Sequence, residues 1–205
     1  ENLSTAIVIF IIWFCMCFVS AKKKWWYVAV FLLGVMLIVL YITFGDAFRS
    51  DRIDIWRNVE THPKGYQVLQ GLYAIASGGI FGTGLGDSMQ KLGFIPESHN
   101  DMIFSIICEE LGMVGAGIVI IMFVLLMWRI LSSAMTAPDL FSGLICTGVM
   151  IHIAAQVVIN IAVVTNSMPS TGIPLPFISY GATSIMILMA EMGLVLGIST
   201  KCKST

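Results

Sequence analysis

Residues 102–128 read MIFSIICEELGMVGAGIVIIMFVLLMW, and the stretch in front of them, residues 87–101, reads DSMQKLGFIPESHND. The first is long and apolar enough to cross a bilayer, which takes about 20 residues at a helical rise of about 1.5 Å each. Arg129 stops it. The second gathers Asp87, Lys91, Glu97, His99, Asn100 and Asp101 directly against that span. Two further acids, Glu109 and Glu110, lie two helical turns inside the run. Acids at that depth are costly and normally face a bundle interior or a cavity, so at least one is expected to do so. A crowd of polar groups at the rim of a membrane span is where this chain is expected to carry its chemistry.

The same reading extends in both directions. Upstream, residues 3–21 and 25–44 form two more apolar runs, separated by Lys22, Lys23 and Lys24 and opened by the interfacial pair Trp25 and Trp26. Downstream, residues 141–164 and 181–199 form two others, the last followed by Lys201 and Lys203. The expected fold class is therefore an all-α polytopic membrane protein, a single membrane domain over 1–205 with about five transmembrane helices. Composition agrees. The chain is 58% hydrophobic and 11% charged, against about 45–50% and about 25% in ordinary soluble domains. Its mean hydropathy is +0.92. The formal charge of −1 says little about partners, and no basic patch calls for nucleic acid.

The short loops set the orientation. Lys22–Lys24, Arg129, Lys201 and Lys203 share one side and only Asp139 opposes them, so that side is expected to be cytoplasmic. The long loop 45–101 and the break at 165–180 then share the outer face, with Glu1 outside and Thr205 inside. The chain opens on Glu1 without a visible signal peptide, which reads as a fragment or trimmed sequence. The five cysteines show no CxxC pair or zinc spacing and read mostly as small buried residues.

Two irregular stretches interrupt the spans. Within the outer loop, Tyr66 to Ser77 has a helical apolar pattern too short to span and reads as an interfacial helix. The glycine-rich GGIFGTGLG that follows, residues 78–86, fails the phosphate-loop spacings and reads as a flexible turn back to the membrane. Asn166 to Gly181, NSMPSTGIPLPFISYG, carries three prolines among apolar residues. Irregular backbone at membrane depth survives only when buried in protein or lining a wet cavity, so a re-entrant-like cavity wall is expected there.

Three separated segments in this order, GYQVLQGLYAIASGGIFGTGLG, QKLGFIPESHNDMIFSIICEELG and GIPLPFISYG, together with ENLSTA at the start, resemble the SEDS family (shape, elongation, division and sporulation) of FtsW/RodA/SpoVE-like proteins. The resemblance covers essentially the whole chain, and Gln90–Lys91 leans toward the FtsW and SpoVE branches. The chain departs from the family at Asn100 and Met102, where Thr and Phe are usual, and at Ala182, where glycine is usual. The resemblance implies the C-terminal half of a peptidoglycan glycosyltransferase in the bacterial cytoplasmic membrane, polymerising lipid II at the outer face in division or sporulation. A class B penicillin-binding protein and other division proteins are the implied partners.

That implied chemistry matches the residue types. Joining a sugar hydroxyl to an anomeric carbon with inversion needs one base, and a pyrophosphate leaving group needs cations or backbone donors. Asp101 is expected to be the base, kept ionised by the positive end of the following helix. A plain N-cap is the structural alternative for the same position. Lys91, Arg52 and Arg57 are expected at the pyrophosphate, and Glu97, His99, Glu109, Glu110 and Ser179 around the substrate. A divalent cation, Mg or Mn, could share the charge, although Glu97, His99 and Asp101 lack the spacing of a dedicated metal site. His152, Gln156 and Asn160 form a polar stripe at four-residue intervals, read first as interhelical glue and second as the lining of a substrate path. Glu191 reads as a partner for another helix. Two competing functions stay open: a flippase for the same lipid, since broken helices and intramembrane acids also mark transport paths, and a non-catalytic scaffold of the division machinery.

Overall fold

The computed structural model describes residues 3–21, 24–43, 54–62, 65–88 and 100–202, apart from the side chains of residues 3, 4, 24, 38–43 and 202. All regular structure among them is helical: α1 (Leu3–Ser20), α2 (Lys24–Thr43), α3 (Tyr66–Gly78), α4 (Ile103–Met135), α5 (Leu140–Val164) and α6 (Ala182–Cys202). Among the described residues three helices are long and apolar enough to cross a membrane, over Ile103–Met135, Leu140–Val164 and Ala182–Lys201, and shorter apolar stretches run over Thr5–Ser20 and Trp25–Leu37. The helix α5 is central, packing on α1, α4 and α6, while α3 rests on α4 and α2 touches α1.

Local chemistry explains the boundaries. Asp139 caps α5, its side chain accepting from the Ser142 backbone N–H at 2.9 Å and from the Ser142 hydroxyl at 2.8 Å. The helix α4 does not stop where Arg129 closes the apolar run. It continues to Met135, because a long basic side chain can reach along the helix toward the interface, and it ends just ahead of Pro138.

The run 102–128 is not one uninterrupted helix. Gly112 has φ 67° and ψ −168°, a conformation for glycine alone, and splits α4 into 103–111 and 113–135. Such a break orphans backbone carbonyls on one side and N–H groups on the other. In hydrocarbon each orphan costs several kcal/mol. The glycine-rich loop supplies the missing partners. Thr83 N–H donates to the Glu109 carbonyl at 2.9 Å and Gly84 N–H to that of Glu110 at 3.1 Å, while Met113 and Val114 donate to the Gly79 and Ile80 carbonyls at 3.0 and 3.2 Å. Residues 78–86 are therefore a wedge docked in the α4 break, which corrects the reading of a flexible turn. The short helix α3 delivers that wedge, burying Val68, Gly71, Ala74 and Gly78.

Candidate functional site

Asp101 sits half-buried in a turn ahead of α4, whose N-cap is Met102 with no side-chain cap bond. The N-cap alternative for Asp101 is thus not what the fold uses. Its backbone is instead tied to two other elements. The Asn160 side-chain amide on α5 donates to the Asp101 carbonyl and to the Ile173 carbonyl, each at 2.8 Å. The Ser179 hydroxyl donates to the Asn100 carbonyl at 2.6 Å and accepts from Leu175 N–H at 2.7 Å. The carboxylate itself accepts from Gln67 Nε2 of α3 at 3.4 Å, through Oδ1. Oδ2 faces Gly172, where a β-carbon added to the glycine would lie 4.0 Å away.

The proline-rich stretch 166–181 forms the wall opposite Asp101. Ile173, Leu175, Pro176 and Ser179 are buried, as expected for irregular backbone held inside protein. Asn166 and Phe177 adopt left-handed φ values of 54° and 64°, conformations that cluster at functional sites. The Trp56 indole donates to the Asn166 carbonyl at 2.8 Å, drawing residues 54–62 to the same end of the molecule. Beside Phe177 and Ile178 an apolar hollow of about 460 Å³ opens against Val119, Phe123 and Leu126 of α4. A larger one, about 680 Å³, lies at the opposite end, between α1 and residues 131–151, and includes none of the expected site residues.

The polar stripe of α5 resolves into tertiary hydrogen bonds. His152 Nδ1 lies 3.0 Å from both carboxylate oxygens of Glu191 on α6, and Gln156 Nε2 lies 3.0 Å from His152 Nε2. Asn160 completes the stripe by holding Asp101 and Ile173. Of the three, His152 bonds between helices, to Glu191 on α6, as does Glu191 in return; Gln156 bonds within α5 and Asn160 ties α5 to two non-helical segments.

The other expected site residues divide. Arg57 is exposed in the short helical turn beside Trp56, at the Asp101 end. Ser179 is 4% exposed, its hydroxyl engaged with Asn100 and Leu175. Glu109 is 2% exposed and its carboxylate accepts a very short hydrogen bond from the Ser88 hydroxyl. Glu110 is half-buried next to it. Lys91, Glu97, His99 and Arg52 lie outside the described residues. Among the described residues no three His, Cys, Asp or Glu side chains come together as metal ligands. Gln67, Trp56 and Gly172 join the site although nothing in the sequence singles them out. The contacts of the first two bridge 34 and 110 residues, and no local pattern announces them.

A family model described as cell cycle protein, of the FtsW/RodA/SpoVE type, matches residues 1–204. Stage V sporulation protein E of Bacillus subtilis is 39% identical over 186 residues, 90% of this chain and 50% of that protein. A probable peptidoglycan glycosyltransferase FtsW of Trichlorobacter lovleyi is 41% identical over 180 residues, 85% of this chain and 47% of its own length. Among solved structures, a chain from a peptidoglycan synthase complex, in work on the coordination of polymerization and crosslinking, matches with TM-score 0.76 and 27% identity, over 98% of this chain and 56% of that one. The rod shape determining protein RodA of Thermus thermophilus matches with TM-score 0.50 and 26% identity, over 88% and 58%. The chain spans about half the length of the curated relatives it matches.

Proposed function

The chain belongs to the FtsW/RodA/SpoVE family, and from that premise we propose that it carries the catalytic base of a peptidoglycan glycosyltransferase acting on lipid II at the outer face of the bacterial cytoplasmic membrane. The observation that carries this reading is the half-buried Asp101 carboxylate, on a non-helical residue held between α5 and the proline-rich wall. A general base must be fixed in place and reachable, and this one is both. Gln67 sets the turn of the carboxylate through Oδ1. The acceptor sugar hydroxyl gives its proton to Asp101 as its oxygen bonds the anomeric carbon with inversion. The bond from that carbon to the lipid pyrophosphate breaks, and the pyrophosphate leaves with the electron pair.

Arg57, exposed at the same end, suits the departing charge, together with Lys91 and Arg52. The single described carboxylate of the site fits Mg or Mn only as an ion carried largely by the substrate's phosphates, the usual way Mg is held. The hollow beside Phe177 suits the polyprenyl chain of the donor. A class B penicillin-binding protein is the partner that would crosslink the strands, consistent with the synthase complex that the chain resembles.

The test uses the full-length protein with purified lipid II in detergent, where there is no membrane to cross. Asp101→Asn keeps the size and the Gln67 contact but not the base, and polymer formation should fall by about 10²–10⁴, the usual worth of general base catalysis. Wild-type protein that makes no glycan there while moving lipid II across vesicles would establish a flippase. A folded Asn variant with full polymerase rate would remove Asp101 from the chemistry.

A further inference from the structure

Two buried polar atoms, Gln156 Oε1 and Thr171 Oγ1, lack a hydrogen-bond partner among the described residues. An unmet buried polar atom costs about 1–3 kcal/mol, so ordered water is the expected partner where there is room. There is room. A cavity of about 190 Å³ lies between α1, α5 and the proline-rich wall, lined by Thr5, Val8, His152, Gln156, Thr171 and Gly172 among others. At roughly 30 Å³ per molecule it holds roughly six waters. Gly172 lines the cavity and is also the residue that Asp101 Oδ2 faces. Asn160, Gln156 and His152 lead down one face of α5 from the Asp101 backbone to the His152–Glu191 pair, a descent of about 12 Å at the helical rise.

We propose that this cavity is a hydrated proton path, and that the His152–Glu191 pair at its inner end stores the proton Asp101 takes from the acceptor hydroxyl. The inference rests on Asp101 being the base. The scheme starts from the tautomer in which Gln156 Nε2 donates to His152 Nε2 and His152 Nδ1–H donates to Glu191, an arrangement that the two 3.0 Å contacts allow. Protonated Asp101 gives its proton to a cavity water, and the water chain delivers one to His152 Nε2. The Gln156 amide turns over so that Oε1, until then without a protein partner among the described residues, accepts from the new N–H. The imidazolium then stands between Glu191 and Gln156 Oε1. Between turnovers the proton returns by the same waters to the outer solution, so charge and atoms balance over the cycle.

Among the described residues, few ionisable side chains lie on the helices around the pair. Cysteines apart, α1 has no ionisable side chain between Leu3 and Ser20, and α3 has only Tyr66 and Tyr73. The helix α4 carries Glu109, Glu110 and Arg129, and α6 carries Lys201 besides Glu191. Of these only Glu191 bonds His152. His152 touches no substrate in this scheme and is a relay residue.

The experiment measures polymerisation of purified lipid II by full-length protein as a function of pH, in water and in deuterium oxide, with and without imidazole. His152→Ala should lose about tenfold, less than removal of the base itself, and show a changed pH profile and a larger solvent isotope effect. Added imidazole should restore the rate in a saturable way. An Ala variant as fast as wild type, or one slowed without rescue and with an unchanged pH profile, overturns the proposal and leaves the pair a helix pin. Should that variant not fold, Gln156→Leu, which dries the cavity, decides by the same profile and isotope effect: both altered supports the path, neither altered overturns it. Asp101→Asn run alongside separates the two readings, since its full activity would refute the base and its inactivity beside an indifferent His152 would refute only the relay.

Discussion

Replacing Asn160 by leucine and, separately, by aspartate tests how Asp101 is held. The wild-type amide donates to two carbonyls, those of Asp101 and Ile173, each at 2.8 Å, and Asn160 is 1% exposed. Leucine matches asparagine in heavy-atom count and branching, is somewhat bulkier, and has no donor. It leaves two carbonyls unmet at about 1–3 kcal/mol each, but also removes Oδ1, itself unpartnered among the described residues, which returns a similar amount for one group. The net is about 2 kcal/mol, or about a 30-fold shift at 1.4 kcal/mol per factor of ten. Aspartate keeps the shape but, ionised, only accepts. It sets a buried carboxylate against two carbonyl oxygens and should be worse than leucine.

The assay is hydrogen exchange at Leu175 and Ser179, whose N–H groups close the loop at 2.7 and 3.0 Å. Exchange there should quicken about 30-fold in the leucine variant and more in the aspartate variant, while amides in the middle of α5 stay near wild type. If Asn160 were only a space-filler, aspartate would be the milder change. Finding aspartate equal to wild type, or leucine the worse of the two, would refute the reasoning. Ser179→Ala cuts the neighbouring tie to Asn100, so its effect should be less than additive with Asn160→Leu.

Gly112→Ala should abolish or sharply reduce folded protein, since a β-carbon there would come within 2.4 Å of Gly82 N and the Ile80 carbonyl oxygen. Gly117→Ala, with nothing within 4 Å, should instead be neutral or gain up to about 1 kcal/mol in thermal unfolding. Ser88→Ala removes the hydroxyl that serves the buried Glu109 carboxylate and should lose about 1–3 kcal/mol, with Glu109→Gln milder because it still accepts. Asp139 has its pKa lowered, chiefly by the Ser142 backbone N–H, then by the Ser142 hydroxyl. Its contribution is therefore present above the ordinary carboxylate pKa and lost as pH falls through the depressed folded value. The difference in melting temperature between wild type and Asp139→Ala should close over that acidic window and stay constant at neutral pH.

The helices are legible in the sequence because each is written in one continuous stretch of side chains. The breaks are not. In residues 108–117, CEELGMVGAG, nothing local says which glycine interrupts the helix. The choice depends on a wedge some thirty residues upstream whose backbone fits the gap at Gly112. Asp139 reads from sequence only as an acid among bases, whereas the structure makes it a cap. Asp101 stands out in the sequence by its place at the foot of a span, but its holders, Asn160, Ser179 and Gln67, come from three other segments. Periodicity finds Asn160 on a polar face without saying that its target is the Asp101 carbonyl.

That division between backbone ties and side chain bears on how variants at the site are read. Asp101 is held through the carbonyls of residues 100 and 101, by Ser179 and Asn160, and the N-cap of α4 is the next residue, Met102. One tie to the carboxylate is the long 3.4 Å contact from Gln67, which an asparagine oxygen can also accept. Asp101→Asn therefore changes the proton chemistry while leaving both backbone anchors in place, so a loss of polymerisation with unchanged exchange at Leu175 is assigned to the chemistry and not to collapse of the site. Asn160→Asp does the reverse, keeping the Asp101 carboxylate and loosening the backbone that carries it. If both variants lose activity, hydrogen exchange at Leu175 separates them: unchanged in the first, quickened in the second. Equal exchange in the two would mean that the carboxylate, not the carbonyl, anchors this turn, and the assignment of roles would have to be exchanged.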